Sequence, residues 1–210
     1  MAHRLARFYA ALGHGLNGRS RLLLASLVLP LAASFLFPLW RIEMEAPQYP
    51  RGLQLDIYAH RLDGGNNGHD ITEINNLNHY IGMHPLEESR IPELGWIPFA
   101  FGLLGLLVLR VAAVGTVRDL IDLSVLLIYI TGFFFARFVL MLYSYGHDLD
   151  PTAAVTVAPF MPVIVGTKQI ANFTTHSYPH VGTLLVGLFA LGVLLITARR
   201  IMVDGRQVRI

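Results

Sequence analysis

The chain contains no cysteine. That excludes disulfides, c-type haem attachment, thiolate zinc sites, iron–sulfur clusters and thiolate-bridged dinuclear copper. Any metal must be held by His, Met, Asp, Glu or backbone. Charge is scarce as well: 14% of the 210 residues are charged and 54% are hydrophobic, whereas soluble domains carry about a quarter charged residues. There is no phosphate-binding glycine loop, no zinc-protease helix motif and no Gly-x-Ser-x-Gly elbow, so hydrolytic or nucleophilic chemistry has no positive support. No internal repeat is present.

Four long apolar runs stand in place of these features: residues 22–40, 95–114, 123–143 and 181–198. Each is close to the roughly 20 residues that cross a 30 Å hydrocarbon core, and for the most part they lack the polar stripe of a soluble amphipathic helix. The first run exceeds the apolar region of a typical signal peptide and reads as an uncleaved anchor. The expected fold class is an all-α membrane protein of four transmembrane helices, with a small α+β loop domain on the outer face.

Basic residues set the expected orientation. The tails 1–21 and 199–210 and the region 110–122 around the short turn hold ten Lys/Arg (Arg4, Arg7, Arg19, Arg21, Arg110, Arg118, Arg199, Arg200, Arg206, Arg209) and three acids (Asp119, Asp122, Asp204). The loops 41–94 and 144–180, with their flanking residues, hold five Lys/Arg against eleven acids. The positive-inside rule places both termini and the turn 115–122 in the cytoplasm, the expectation for a multi-pass protein of a bacterial inner membrane. Trp40 and Trp96 then fall at the outer interface.

Within the first loop, Trp40, Ile42, Met44 and Ala46 alternate with Arg41, Glu43 and Glu45, and Leu53, Leu55, Ile57 and Ala59 alternate with Gln54, Asp56, Tyr58 and His60. Pro47 to Gly52 supply the turn, so the segment reads as a β-hairpin. Asp70-Ile-Thr-Glu73 resembles a capping box, with Asp70 as N-cap of a helix running to about Met83. Its apolar stripe, Ile74/Leu77/Ile81, should cover the hairpin. The second loop contains four prolines (Pro151, Pro159, Pro162, Pro179) and suggests a short helix around Lys168 to Phe173.

Seven of the nine histidines lie in these loops: His60, His69, His79, His84, His147, His176 and His180. None is deep in a span, which argues against a b-type haem. On a continuous helix, His79 and Met83 share one face with Asn75, Asn76 and Thr72. Imidazole with thioether and no thiolate suits copper better than zinc or iron. The alternative is that His79 caps a loop and Met83 packs. His147 with Asp148, and His176 with His180, flank the third and fourth spans and would meet near the outer interface if those helices are neighbours. A carboxylate beside a ligand imidazole is the usual supporting arrangement; helix-end caps are the alternative. His84 completes the candidate metal set. Arg137, inside the third span, is expected to snorkel or to pair with Asp148, Asp150 or a partner subunit. Asn172-Phe-Thr174 matches a glycosylation sequon, a weak signal.

Three segments, Asn78-His-Tyr-Ile-Gly-Met-His-Pro85, Tyr145-Gly-His-Asp-Leu-Asp-Pro151, and Lys168-Gln-Ile-Ala-Asn-Phe173 leading to Ser177-Tyr-Pro179 and Gly182, resemble a group of small bacterial membrane proteins. That group is associated with gene neighbourhoods for nitrous oxide reductase and its copper maturation. The resemblance implies an outer-face role connected with copper or with a periplasmic redox enzyme, and carries over His79, Met83 and His147. His84, His176 and His180 rest on spacing alone. The expected function is a membrane-anchored copper-handling accessory factor for a cuproenzyme. The alternative is a cofactor-free small subunit of a respiratory or other membrane redox complex. In either case the expected partners are the lipid bilayer and a membrane or periplasmic redox complex, not nucleic acid.

Overall fold

A computed structural model describes residues 12–170 and 172–207. Four helical stretches in it are long and apolar enough to cross a membrane: Gly18–Leu36, Glu93–Val114, Val117–His147 and Val181–Val203. The first is built from α1 (Gly18–Ser26), α2 (Val28–Ala33) and a 3₁₀ turn, Ser34–Leu36. It therefore ends before Trp40, which already belongs to a strand. The remaining helices are α3 (His69–Tyr80), α4 (Glu93–Val114), α5 (Val117–His147) and α6 (Val181–Gln207). The strands are β1 (Trp40–Ala46), β2 (Tyr49–Ile57), β3 (Leu62–Gly64), β4 (Gly166–Ile170) and β5 (Phe173–Pro179). The chain divides into two compact units.

The first unit takes in the described residues up to Ala33, Phe99–Gly132, and those from Leu185 onward. Asn17 caps α1 by accepting the Ser20 amide at 3.0 Å, one of the donors a helix start leaves unpaired. Arg21 donates to the carbonyls of Leu16 and Ala113, which places a cation at the C-terminal end of α4, where the helix dipole favours it. Thr116 and Asp119 cap α5 reciprocally: the Thr116 amide and hydroxyl reach Asp119 Oδ2, both at 2.8 Å, and the Asp119 amide returns to Thr116 Oγ1. Leu24, Leu104, Val108, Leu120, Phe189 and Val193 are fully buried here, while Leu22, Leu106, Ile128, Leu188, Leu191 and Leu195 are exposed. Exposed aliphatic side chains along helices of this length and hydropathy fit a lipid-facing surface.

The second unit, Ser34–Pro98 and Phe133–Leu184, contains a five-stranded antiparallel sheet in the order β3-β2-β1-β5-β4. The hairpin expected from the alternation is present, pairing Trp40 with Ile57, Ile42 with Leu55 and Met44 with Leu53. Its apolar face packs against Ile74 and Leu77 of α3 in one core. The expected short helix at Lys168–Phe173 is instead β4 turning into β5. β5 pairs with β1, Ile42 opposite Ser177 and Met44 opposite Thr175. An isolated hairpin is marginal in water and exposes an unpaired edge, and β5 covers that edge.

The start and end of α3 also differ from expectation. Gly68, not Asp70, occupies the N-cap. The buried Asp70 carboxylate instead accepts the Gln54 amide at 2.9 Å, pinning the helix to β2. Glu73 takes a hydrogen bond from the Tyr49 hydroxyl. At the far end, the Asn78 carbonyl accepts the amides of both Ile81 and Met83, which closes the helix at Tyr80.

The opposite face of the sheet is polar. Arg41 makes two hydrogen bonds to Asp56, at 2.6 and 2.8 Å, and Gln54 adds a third at 2.9 Å. Tyr178 donates to Glu43 at 2.6 Å. Hydrogen bonding to Glu73 and Glu43, with burial, holds the Tyr49 and Tyr178 phenols above their ordinary value of 10.0. The native state then binds more protons than the unfolded chain once the pH passes the unfolded value. Stability should therefore be complete below about pH 10 and fall as the pH rises through it. Thermal midpoints measured across that range should show the fall, and Tyr49→Phe/Tyr178→Phe should flatten it. An unchanged alkaline limb in the double variant would assign the loss elsewhere.

Candidate functional site

The residues marked by the sequence all lie in the second unit: His79, Met83 and His84 at the end of α3 and the turn after it, His147 and Asp148 at the end of α5, and His176 and His180 in and just after β5. The first two resembling segments bind each other. The Asp150 amide donates to the Gly82 carbonyl at 2.8 Å; just beyond the second segment the Val155 amide donates to Tyr80 at 3.0 Å, and within the second loop the Phe160 amide donates to Gly146 at 2.9 Å. Tyr145 Oη reaches the Pro85 carbonyl at 3.3 Å. Asn75 grips the Leu86 backbone at both its amide and its carbonyl.

Glycine is required in this turn. Gly82 has φ +82°, and a β-carbon there would lie 2.7 Å from the Asp150 carbonyl oxygen, so position 82 excludes side chains on both conformational and steric grounds. These motif residues therefore join one loop to the other.

The histidines are distributed among separate environments. His79 is exposed at the end of α3. Met83 lies beyond the helix, partly buried against Ala46, Ile81 and Phe173 together with Tyr49, Val155 and Phe160. The expected His79/Met83 face is therefore not formed, because α3 stops three residues before Met83 and the turn sends its thioether into apolar packing. His84 Nε2 lies 2.8 Å from Asp148 Oδ2. Asp148 thus pairs with His84, although its sequence neighbour is His147.

His147 stacks on Tyr143 at 3.8 Å, with Nδ1 3.0 Å from the Tyr143 carbonyl oxygen. His176 sits on the polar sheet face with Nδ1 2.8 Å from Thr167 Oγ1. His180 donates its backbone amide to Leu39, and its Nδ1 is buried with no hydrogen-bond partner. The proposed meeting of His147, His176 and His180 is not found: among the described residues no three His, Cys, Asp or Glu side chains come together in a way that holds a metal ion. His3 lies outside the described residues.

Charge near the turn is modestly organised. Asp150 accepts the Thr152 hydroxyl at 2.6 Å and its amide at 2.8 Å. Those bonds, with smaller help from His79 and His84, hold its carboxyl below the ordinary value. Arg137 pairs with Glu93 of α4 at 2.7 Å rather than with Asp148 or Asp150. Both carboxylates expected to serve it are occupied in the turn.

Below the turn lies a partly enclosed cavity of about 90 Å³, lined by Met44, Met83, Met141, Phe138, Phe160 and Phe173 among others. Asn78 and Thr175 also line it, and Asn78 Oδ1 and Thr175 Oγ1 are buried without a hydrogen-bond partner. The sequence signals Met44 only through strand alternation, and nothing in the third span singles out Met141. The chain matches no protein family, no curated protein and no solved structure with which it was compared.

Proposed function

We propose that this protein is an accessory subunit of a membrane redox complex, holding no cofactor of its own and presenting the sheet unit to its partner on the outer face of a bacterial inner membrane. The observation that supports this is how the chemistry-bearing residues are used: the residues of the first two motifs join one loop to the other, and Met83 packs against Ile81 and Phe173. Four apolar spans and the basic bias of the tails support the anchoring and orientation. The resemblance to proteins from copper-maturation neighbourhoods supports the choice of a redox partner.

Copper carriage by the His/Met set has a poor fit. Soft copper sites need converging donors, and here His79, His147 and His176 each face a different environment, with Met83 in the apolar packing. The discriminating experiment purifies the full-length chain from native membranes in mild detergent and measures metal content and complex size together. The expected result is migration in a large assembly of constant subunit composition, with no stoichiometric copper on the dissociated chain. Equimolar copper on the isolated chain, lost on His79→Ala or Met83→Ala, would overturn the subunit reading and restore copper handling.

A further inference from the structure

We infer that the cavity below the turn is a binding site for a hydroxyaromatic molecule drawn from the membrane, of the phenol or hydroquinone class. This inference stands apart from the proposed function: it shares Met83 and Phe173 with it but turns on Asn78 and Thr175.

Three observations carry it. The cavity wall is largely aliphatic but includes three thioethers and three phenylalanine rings, and methionine both adapts its shape to flat guests and makes favourable contacts at ring edges. Two residues of the lining, Asn78 on α3 and Thr175 on β5, each carry a buried side-chain oxygen, Oδ1 and Oγ1, with no hydrogen-bond partner within the protein. The two residues are 2% and 5% exposed. Leaving such groups unpaired costs about 1–3 kcal/mol each, so the fold retains them against a penalty. Finally, Phe138, Met141, Leu142 and Tyr145 of α5 form part of the wall, so the cavity adjoins a helix long and apolar enough to lie in lipid.

The polar atoms select the head group. An amide oxygen accepts and cannot donate, so Asn78 Oδ1 calls for a donor on the guest, while the Thr175 hydroxyl serves as donor or acceptor. A phenolic hydroxyl that donates to Asn78 Oδ1 and accepts from Thr175 Oγ1 would satisfy both. A dry cavity of roughly 150 Å³ holds benzene. Seating one ring in about 90 Å³ therefore requires the methionine side chains to yield, which their three rotatable bonds allow.

The test uses the full-length protein in lipid nanodiscs, with para-propylphenol, propylbenzene and hexanol as probes and saturation-transfer NMR as the readout. Wild type should bind para-propylphenol about fivefold more tightly than propylbenzene, the worth of one satisfied hydrogen bond, and more tightly than hexanol. Thr175→Val keeps the side-chain shape and should abolish the phenol preference while leaving propylbenzene unchanged. Because all proteins sit in the same lipid, the difference between wild type and variant is independent of probe partitioning. A decyl-tailed hydroquinone should bind more tightly than hydroquinone itself if the guest arrives from lipid. Equal binding of phenol and propylbenzene, equal binding of hexanol, no response to Thr175→Val, or no advantage from the tail would overturn the inference. So would a bound water bridging Asn78 and Thr175 that para-propylphenol fails to displace.

Discussion

Gly146→Ala should destabilise the sheet unit by about 3 kcal/mol, the upper range for forcing a methyl group into a packed contact. Gly146 lies in the last turn of α5, where an alanine costs nothing intrinsically and is ordinarily favoured. The Phe160 carbonyl, however, fills the space on one side of Gly146. A β-carbon would collide with that carbonyl oxygen and approach Pro162 Cδ at 2.8 Å. Neither neighbour is the free end of a flexible side chain: one is backbone and the other a proline ring. The Phe160 amide simultaneously donates to the Gly146 carbonyl, so the segment cannot withdraw without losing that bond.

Trp40 reports on the unit, since its indole donates to Ser177 Oγ at 2.8 Å and lies 5.0 Å from the Phe138 ring. In a Trp96→Phe background, its thermal transition should move down while helical circular dichroism at low temperature stays unchanged. Gly132→Ala is the matched control on the same helix, because a β-carbon there meets nothing within 4 Å. That substitution should be neutral or stabilising by about 0.5–1 kcal/mol. Equal losses in the two variants would remove close packing as the cause.

Where the sequence speaks through periodicity, structure and expectation coincide. The alternation from Trp40 to Ala46 and from Leu53 to Ile57 produced a hairpin in which Ile42 faces Leu55, and the stripe Ile74/Leu77 covers it. β5 carries the same period of two, with Phe173, Thr175 and Ser177 inward and Thr174, His176 and Tyr178 less buried. Its inward residues include a threonine and a serine, so the pattern does not stand out by hydropathy. The end of α3 was obscured for another reason. Ile81 is buried just as the helical stripe requires, yet it sits in the cap, where the Asn78 carbonyl has already turned the chain. A shift of three residues was enough to move Met83 from a helix face into the apolar cavity wall. The histidine sites depended on contacts between distant segments, such as His84 with Asp148, and spacing along the chain carries no information about those.

Asp56→Ala should cost about 3 kcal/mol, because it leaves the Arg41 guanidinium half-buried and without its bidentate acceptor. The Asp56 side chain is 10% exposed and that of Arg41 23%, so water only partly replaces the lost partner. Gln54 loses an acceptor in the same change. Replacing both members, Arg41→Met with Asp56→Leu, removes the unpaired charge as well as the bridge. That double variant should recover to within about 1 kcal/mol of wild type, as buried ion pairs exchanged for apolar residues commonly do. The two residues are direct partners across β1 and β2, and Arg41 also faces Tyr178 across β1 and β5. They therefore mark one register of the central strand among those that apolar packing tolerates, since a slip of one residue would place both charges in the core. The double variant should accordingly keep its stability while losing register, visible as doubled amide resonances for residues 40–57. The measurement is the Trp40 thermal midpoint in the single and double variants, with amide spectra of each. If the double variant is as unstable as Asp56→Ala, the bridge is a net source of stability and the register argument fails.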